Sequence, residues 1–191
     1  SADFDNDGFD DVLFYGYQGV LLFRNQGDGT FVDVSAVSPF STLPWITAAA
    51  WADLNDDGNL DLHLVSYVDW SFESHKSCIS QSGNPDVCSP TEFAASPDVS
   101  FLNDGSGAFF DFSSHFKNDG EGRGLGVIAA RFDFKSSLAV YVANDLSPNN
   151  FYVRNSGGEF VDRGLASGVA VDSRGNANGS MGVALLDFNL D

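Results

Sequence analysis

Glutamate and basic residues are both scarce in this chain. Its 191 residues contain 4 Glu against 23 Asp, and only 9 Lys and Arg together, so the formal net charge is −18. Such an acidic chain repels nucleic acids and anionic membrane surfaces, which are therefore poor partners on electrostatic grounds. Because Asp favours turns whereas Glu favours helices, the excess of Asp predicts a protein with few helices.

Long apolar runs are also missing. No run of about 18 apolar residues occurs, so no segment is predicted to cross a bilayer. No amphipathic helical window of useful length occurs either, which favours an all-β fold. The length is sufficient for one hydrophobic core, and we predict a single domain over residues 1–191.

Two segments share a pattern of alternating acids around a glycine. Residues 3–11 read DFDNDGFDD and residues 53–61 read DLNDDGNLD, and both fit D-x-[DN]-x-D-G-x-x-D. Short oxygen-bearing side chains at every second position can all turn toward a hard cation, and Ca²⁺ takes six to eight oxygen ligands. We predict two calcium sites. Their side-chain ligands are Asp3, Asp5, Asp7 and Asp11, then Asp53, Asn55, Asp57 and Asp61, with backbone carbonyls from Phe9 and Asn59.

These Asp loops differ from an EF-hand in their second half. The ninth-position Asp is followed by Val12 or Leu62, position 12 carries no bidentate Glu, and the residues after the loop resemble strands rather than a helix. A single copy is also compatible with a solvated turn, because Asp and Gly are common in turns. Two copies that both keep the ninth-position Asp favour metal sites.

A second motif recurs between the Asp loops. The form N-x-G-x-G-x-F-x-D occurs at 25–33 and 103–111, and one residue shorter at 155–162. A Gly-rich turn between apolar segments is typical of a β-hairpin. The two motifs together give a period close to 50 residues once an insertion at about 68–96 is set aside.

Each repeat predicts four strands. In the first repeat they are DVLFYG, VLLFRN, TFVDVS and TAAAWAD, and the last strand recurs at 126–131 and 182–187. That last strand begins with a small residue and is uncharged until its end, which suits the crowded axis of a radial assembly. We therefore predict β-propeller blades of four antiparallel strands, about 3.5 blades in an incomplete ring.

The third Asp loop has lost most of its carboxylates. In residues 131–139 only Asp133 keeps a liganding position, while Arg131 and Lys135 replace the first and fifth acids and Ser136 replaces the glycine. Either these cations substitute for the metal's charge by pairing with Asp133, or the site has decayed. Both interpretations predict no calcium in this loop.

The fourth Asp loop is a partial metal site. It supplies Asp187, Asn189 and Asp191 but lacks the glycine and the ninth-position Asp. Alone it is expected to bind calcium weakly or not at all, so a neighbouring segment or a longer parent chain has to complete it. Because the sequence opens in one such loop and ends in another, we expect it to be a fragment.

The two cysteines lie within the insertion. Cys78 and Cys88 are ten residues apart in a polar stretch, where a local disulfide would stabilise a segment without its own core. Zinc binding with His75 is the alternative, but it lacks a fourth ligand at any usual spacing. A disulfide requires an oxidising compartment, which predicts an extracellular, secreted or cell-surface protein.

The chain resembles the FG-GAP/VCBS repeat proteins, which share the calcium-loop propeller of integrin α subunits. The resemblance rests on the Asp loops and on GRGLGVIAARFDF, AVYVANDLSPNNFYVRNSGGEF and NDGSGAFFD, and it is closest to the ASPIC/UnbV-associated, cartilage acidic protein-like branch. It covers essentially the whole chain, although the ASPIC/UnbV domain itself is not in the sequence. The resemblance implies calcium at the first two loops and a mostly adhesive, secreted or surface role.

These observations predict a non-enzymatic, extracellular calcium-binding propeller segment for adhesion, protein or glycan interaction, or surface assembly. One alternative is a calcium-dependent polysaccharide lyase or hydrolase, which would need carboxylates or bases that converge in a cleft. The other is a self-assembling fibre subunit, because an incomplete ring leaves exposed strand edges. Further blades from a longer parent chain would cover the same edges.

The remaining polar candidates give little indication of catalysis. His63 and His115 form no recognisable arrangement with a nucleophile, and both are expected to be core or surface histidines. Asn144, Asp145 and residues 147–149 follow a predicted strand. They form either a plain turn or one wall of a ligand site.

Overall fold

A computed structural model describes residues 1–37, 39–40, 43–117, 122–132 and 137–187. Within these ranges there is no α-helix, only single-turn 3-10 helices, so the all-β prediction is confirmed. The strands are β1 (Val12–Gly16), β2 (Gly19–Asn25), β3 (Phe31–Asp33), β4 (Ile46–Ala52), β5 (Asp61–Ser66), β6 (Cys78–Ile79), β7 (Pro85–Asp86), β8 (Val99–Asn103), β9 (Phe109–Asp111), β10 (Phe116–Lys117), β11 (Gly124–Ala130), β12 (Ala139–Asn144), β13 (Asn150–Arg154) and β14 (Phe160–Asp162).

The strands form three successive sheets. The first sheet has the order β1-β2-β3, the second β4-β5-β8-β9, and the third β11-β12-β13-β14-β10. Neighbouring strands are antiparallel except for β10, which pairs parallel to β14. The third sheet therefore has five strands where four were predicted, because the segment that leaves the second sheet adds β10 to its outer edge. There the ring of Phe116 stacks on Phe160 with centroids 4.4 Å apart.

The structure corrects the grouping of strands into blades. The small-residue strand β4 was predicted to be the last strand of the first repeat, but it begins the second sheet, where Ala52 pairs with Asp61 of β5. Likewise Ala130 of β11 pairs with Ala139 of β12. The physical reason is that an Asp loop reverses the chain and lays the next strand along the one before it. The loop thus lies within a sheet rather than between two sheets.

The hydrophobic core lies between neighbouring sheets. One cluster joins the first and second sheets through Phe4, Leu22 and Phe101, among others. Another joins the second and third sheets and includes Val65 and Val142. The inner strands β4 and β11 contact each other, as their small side chains predict. This is a partial propeller-like fold, and the described residues form no closed ring.

The strand predicted at 182–187 is not present. The segment has no strand pairing, although it lies against β11, where a Cβ added to Gly126 would be 2.2 Å from the carbonyl oxygen of Met181. The strands β4 and β11 each pair with the strand that follows the next Asp loop, and the described residues contain no such partner for 182–187. Leu185 and Leu186 are consequently exposed.

The predicted insertion leaves the second sheet after β5 and returns before β8. A bridge between Val68 and Ala95 closes its base, and the short hairpin β6–β7 lies within it. The Cys78–Cys88 disulfide is present, with a Cα–Cα distance of 5.2 Å, so the zinc alternative is wrong. None of the helical segments in the described residues has the length or apolar character to cross a membrane.

Candidate metal centre

Both intact Asp loops are held in shape by their first carboxylate. The two oxygens of Asp3 accept hydrogen bonds from the backbone N–H of Asp7 at 3.0 Å and of Gly8 at 2.9 Å. Asp53 accepts the equivalent pair of bonds at the same two distances. The sequence therefore folds each loop around its own first acid, which curls the backbone tightly enough for later side chains to face the same centre.

The backbone conformation of the two loops is also the same. The fourth position is left-handed in both, with φ of 57° at Asn6 and 63° at Asp56. The glycines at the sixth position, Gly8 and Gly58, have φ of 91° and 90°. Asn and Asp tolerate the left-handed region better than other residues with a Cβ, and glycine adopts it freely. The two loops are thus structural repeats and not only repeats in sequence.

The ninth-position acids are buried and join each loop to its own sheet. Asp11 accepts from the backbone N–H of Phe4 at 3.0 Å and of Asn25 at 2.8 Å. Asp61 accepts from Leu54 at 2.7 Å and from Asn103 at 2.8 Å. Burial outweighs these bonds and raises the pKa of Asp11, and it raises the pKa of Asp61 to about 6.

The first loop gathers three carboxylates around one point. Ligand atoms of Asp3, Asp5 and Asp11 all lie within 4.8 Å of one another. The Oδ1 atom of Asp5 is buried and has no hydrogen-bond partner. Burial, followed by the charge of Asp7, raises the pKa of Asp5. A buried carboxylate oxygen without a donor fits a divalent cation, which would supply the missing positive partner.

The second loop is less acidic because its third position is an amide. Asn55 accepts from the backbone N–H of Asp57 at 3.0 Å, and its Nδ2 donates to the Asp57 carboxylate at 2.9 Å. Three of the predicted side-chain ligands are Asp in this loop, against four in the first. The residues still offer oxygen ligands of the type that Ca²⁺ prefers, with a lower total negative charge.

The seventh-position residues contact the neighbouring hairpin turn. A Cβ added to Gly27 would lie 2.5 Å from the Phe9 ring, and one added to Gly105 would lie 2.7 Å from Asn59 Oδ1. These hairpin glycines are therefore required for space as well as for their positive φ. The contacts involve the side chains of Phe9 and Asn59, while the predicted liganding role of their carbonyls stays a prediction.

Sequence reasoning missed the role of the Asn that opens the hairpin motif. Asn25 Nδ2 donates to the Asp10 carbonyl at 3.0 Å, and Asn103 Nδ2 donates to the Leu60 carbonyl at 3.1 Å. Asn103 also donates to the Phe4 carbonyl at 2.6 Å, which joins the first Asp loop to the second sheet. The sequence did contain the signal, since every copy of the hairpin motif begins with Asn. Only the fold shows which groups the Asn side chain bonds.

Arginines make the corresponding connection between the second and third sheets. Arg131 Nη2 lies 2.6 Å from Asp56 Oδ1, and Arg154 pairs with the other oxygen of the same carboxylate. Arg154 Nη2 also donates to the Asn55 carbonyl at 3.1 Å. Arg154 ends β13 as Asn103 ends β8. A cation on one sheet therefore binds the Asp loop of the preceding sheet.

Several predicted positions cannot be placed. Asp133, Lys135 and Ser136 of the third loop lie outside the described residues, as do Asn189 and Asp191 of the fourth. Asp187 is described and exposed. The two interpretations of the third loop therefore both stay predictions, and so does the partial site at the fourth.

The remaining polar candidates are internal. His63 Nδ1 lies 2.8 Å from Ser100 Oγ, and its ring stacks on Phe116. His115 stacks on Phe112 with centroids 3.9 Å apart. The side chain of Asn144 donates to the carbonyl of Pro148 at 2.7 Å, so the turn after β12 bonds to itself. These contacts favour structural roles for all three polar residues.

Comparison with known protein families matches residues 3–64 to the FG-GAP-like repeat. The matched segment begins at the first Asp loop and extends through the second into β5, so it contains both candidate metal sites. A search of curated proteins found no match. The narrower resemblance to the ASPIC/UnbV-associated branch finds no support in these comparisons and stays a prediction.

Proposed function

We propose that this chain is a non-enzymatic, extracellular calcium-binding propeller segment that serves adhesion, protein or glycan interaction, or surface assembly. The observation that carries the proposal is the unpartnered buried oxygen of Asp5 within the Asp3–Asp5–Asp11 cluster. The match of residues 3–64 to an FG-GAP-like repeat supports it, because such repeats often bind calcium and are generally non-enzymatic. The disulfide fits an oxidising compartment.

Calcium would act here as a structural cross-link. In the first loop, Asp3, Asp5, Asp7 and Asp11 would hold the ion together with the Phe9 carbonyl. In the second, the ligands are Asp53, Asn55, Asp57 and Asp61 with the Asn59 carbonyl. The first loop bonds to the second sheet through Asn103, and the second loop to the third sheet through Arg154. An ion that stabilises each loop therefore also stabilises the contact between sheets.

Self-association is a second candidate, favoured by the exposed apolar side chains of the first sheet. Phe14, Leu21 and Phe31 lie on one face of this sheet and are 58%, 46% and 46% exposed. In the two junctions between sheets that the structure contains, such side chains are covered by the neighbouring sheet. A further sheet of a longer parent chain, or another copy, would cover them. No observation in the described residues favours the lyase or hydrolase alternative.

Thermal unfolding with calcium and with EGTA tests the proposal. A ligand that binds only the native state at a hundredfold excess over Kd stabilises it by about 2.7 kcal/mol. We expect millimolar calcium to raise the melting temperature by several degrees, and equal ionic strength supplied as NaCl to leave it nearly unchanged. A melting temperature that does not respond to calcium, or that responds equally to NaCl, would contradict calcium binding.

A further inference from the structure

An aromatic groove lies at the end of the sheets opposite to the Asp loops. The loop at 53–60 connects the end of β4 to the start of β5, whereas Trp45 precedes β4 and Tyr67 follows β5. The backbone N–H of Tyr67 donates to the Trp45 carbonyl at 3.0 Å and closes that far end. The groove is therefore separate from the candidate calcium sites.

The groove is about 250 Å³ in volume, and most of its walls are aromatic. The ring of Trp45 lies 5.6 Å from Tyr67 at 88° and 5.7 Å from Trp70 at 51°. His75 lies 5.9 Å from Trp70 at 82°, and Phe93 lines the same groove. Because neighbouring rings meet at steep angles, they form walls around a space instead of one flat stack.

The insertion supplies most of these walls and is fixed in place on both sides. The Cys78–Cys88 disulfide closes its outer part, and Cys88 itself lines the groove. On the side of the third sheet, Arg123 donates to the Pro90 carbonyl at 3.1 Å and to the Phe93 carbonyl at 3.0 Å. The groove is therefore built from bonded parts of two sheets and the insertion.

Several polar groups around the groove are already engaged. The indole N–H of Trp70 donates to His75 Nδ1 at 3.1 Å, and the hydroxyl of Tyr67 donates to Asp145 Oδ2 at 2.8 Å. Arg123 occupies the carbonyls of Pro90 and Phe93. A sugar needs several directed hydrogen bonds and would find few partners here. The faces of the aromatic rings remain available for binding. Each face carries a negative electrostatic potential, which attracts cations.

The negative charge around the groove also favours a cationic ligand. Between residues 68 and 96 the chain has four exposed acids against one lysine, Arg123 is a second cation bonded to this segment, and the whole molecule carries a formal charge of −18. The acids are Asp69, Glu73, Asp86 and Glu92. The single lysine already uses one ring of the groove, since Lys76 Nζ lies 5.4 Å from the centroid of Phe93.

We propose that this groove binds a small quaternary ammonium cation of the choline type. A trimethylammonium group is cationic and apolar at once, and it needs no hydrogen-bond acceptor, which matches walls that are mainly aromatic rings. A primary ammonium has three donors to satisfy and fits the same walls poorly. This inference goes beyond the proposed calcium function and does not depend on it.

Nuclear magnetic resonance of the indole N–H groups tests the proposal with an internal control. The chain contains three tryptophans, and Trp51 lies in β4, stacked on Phe4 away from the groove. In calcium-containing buffer, we expect choline to shift the Trp45 and Trp70 signals saturably and to leave Trp51 unchanged. The neutral isostere 3,3-dimethylbutan-1-ol should bind at least about tenfold more weakly, because it lacks the charge.

Three variants sharpen the test. Trp70→Ala should weaken choline binding at least about tenfold, while Phe14→Ala, which removes an exposed ring of the first sheet, should leave it unchanged. Lys76→Gln should tighten binding because it removes the competing cation. Equal binding of choline and its neutral isostere would contradict the proposal. So would the absence of any shift at Trp45 and Trp70, or weaker binding after Lys76→Gln.

Discussion

At the scale of single residues, the Asp loops combine acids of different roles. Each carboxylate oxygen of Asp3 and Asp11 accepts one backbone hydrogen bond and so shapes the loop, whereas Asp5 has a buried oxygen without a donor. The sequence pattern identified all of them as ligands and could not distinguish these roles, because the distinction depends on which backbone N–H groups the fold brings near. We therefore expect replacement of Asp5 to weaken metal binding with the least effect on the folding of the loop.

Replacement of Asp5 should separate metal binding from loop folding. We expect Asp5→Asn to lower the calcium affinity of the first loop at least about tenfold, since one anionic ligand is lost. The same change should leave the calcium-free protein equally or more stable, because burial and the charge of Asp7 raise the pKa of Asp5. Calcium titration and melting in EGTA measure the two effects.

The neighbouring Asp10 provides a matched control. It is exposed, and the described contacts of its carboxylate are limited to Ser1 at the surface. Asp10→Asn changes the net charge equally and should leave calcium affinity within about twofold, because only long-range screened electrostatics changes. Equal calcium affinities in Asp5→Asn and wild type would show that Asp5 is not a ligand.

A buried pair in the second sheet predicts two opposite pH dependences. His63 Nε2 lies 4.0 Å from Asp98 Oδ2; burial lowers the pKa of His63 to about 4 and raises that of Asp98 to about 7. Protonation of Asp98 increases the free energy of unfolding as pH falls from about 7, because the folded state binds this proton more tightly than the unfolded state. His63 destabilises the fold as pH falls below about 6.5, because only the unfolded state binds its proton readily.

Variants of this pair should therefore diverge in acid. Relative to wild type, Asp98→Asn should lose stability as pH falls from 7 to 4.5, and His63→Gln should gain it over the range from 6.5 to 4.5. Urea unfolding at several pH values in EGTA measures both slopes, independently of any constant cost of either substitution. Slopes of the same sign for the two variants would contradict this assignment.

At the scale of elements, the sequence predicts most of the strands but not their partners. The period of about 50 residues and the Gly-rich turns located β2–β3, β8–β9 and β13–β14. The strand β4 was assigned to the first sheet although it belongs to the second. A repeating sequence does not show where one structural unit ends and the next begins. The strand expected at 182–187 is absent because a strand at this position of the repeat pairs with the one after the next Asp loop, and the described residues contain no such partner.

The contact between the second and third sheets through Asp56 should contribute modestly to stability. In the pair with Arg131, the side chains are 51% and 47% exposed, so a double-mutant cycle with Asp56→Asn and Arg131→Gln should give a coupling of about 0.5–1 kcal/mol. Salt should weaken it further, because exposed charges are screened.

The control for this cycle is an ion pair within one turn. Arg174 lies 3.6 Å from Asp172 and is 83% exposed, so its coupling should be close to zero. Urea unfolding of both sets of variants gives the comparison. A coupling at Asp56 no larger than that at Asp172 would mean that the arginines do not fasten the two sheets.

At the scale of the whole molecule, the chain is a series of sheets whose cores lie between neighbours. The excess of Asp over Glu predicted a protein with few helices, and the recurring Gly-rich turns predicted β-hairpins. The sequence could not reveal that the hairpin Asn103 and the strand-ending Arg154 reach back to the preceding Asp loop. Those bonds join residues about a hundred positions apart, and only the packing of the sheets brings them together.

Calorimetric titration of the calcium-free chain with Ca²⁺ is the most direct test of the central claim. The account predicts two bound ions per chain, one for each intact Asp loop, and a first-loop calcium affinity at least about tenfold lower in the Asp5→Asn variant, whose ligand set then matches that of the second loop. Titration of the wild-type chain without measurable binding, or an unchanged stoichiometry and affinity in Asp5→Asn, would contradict it.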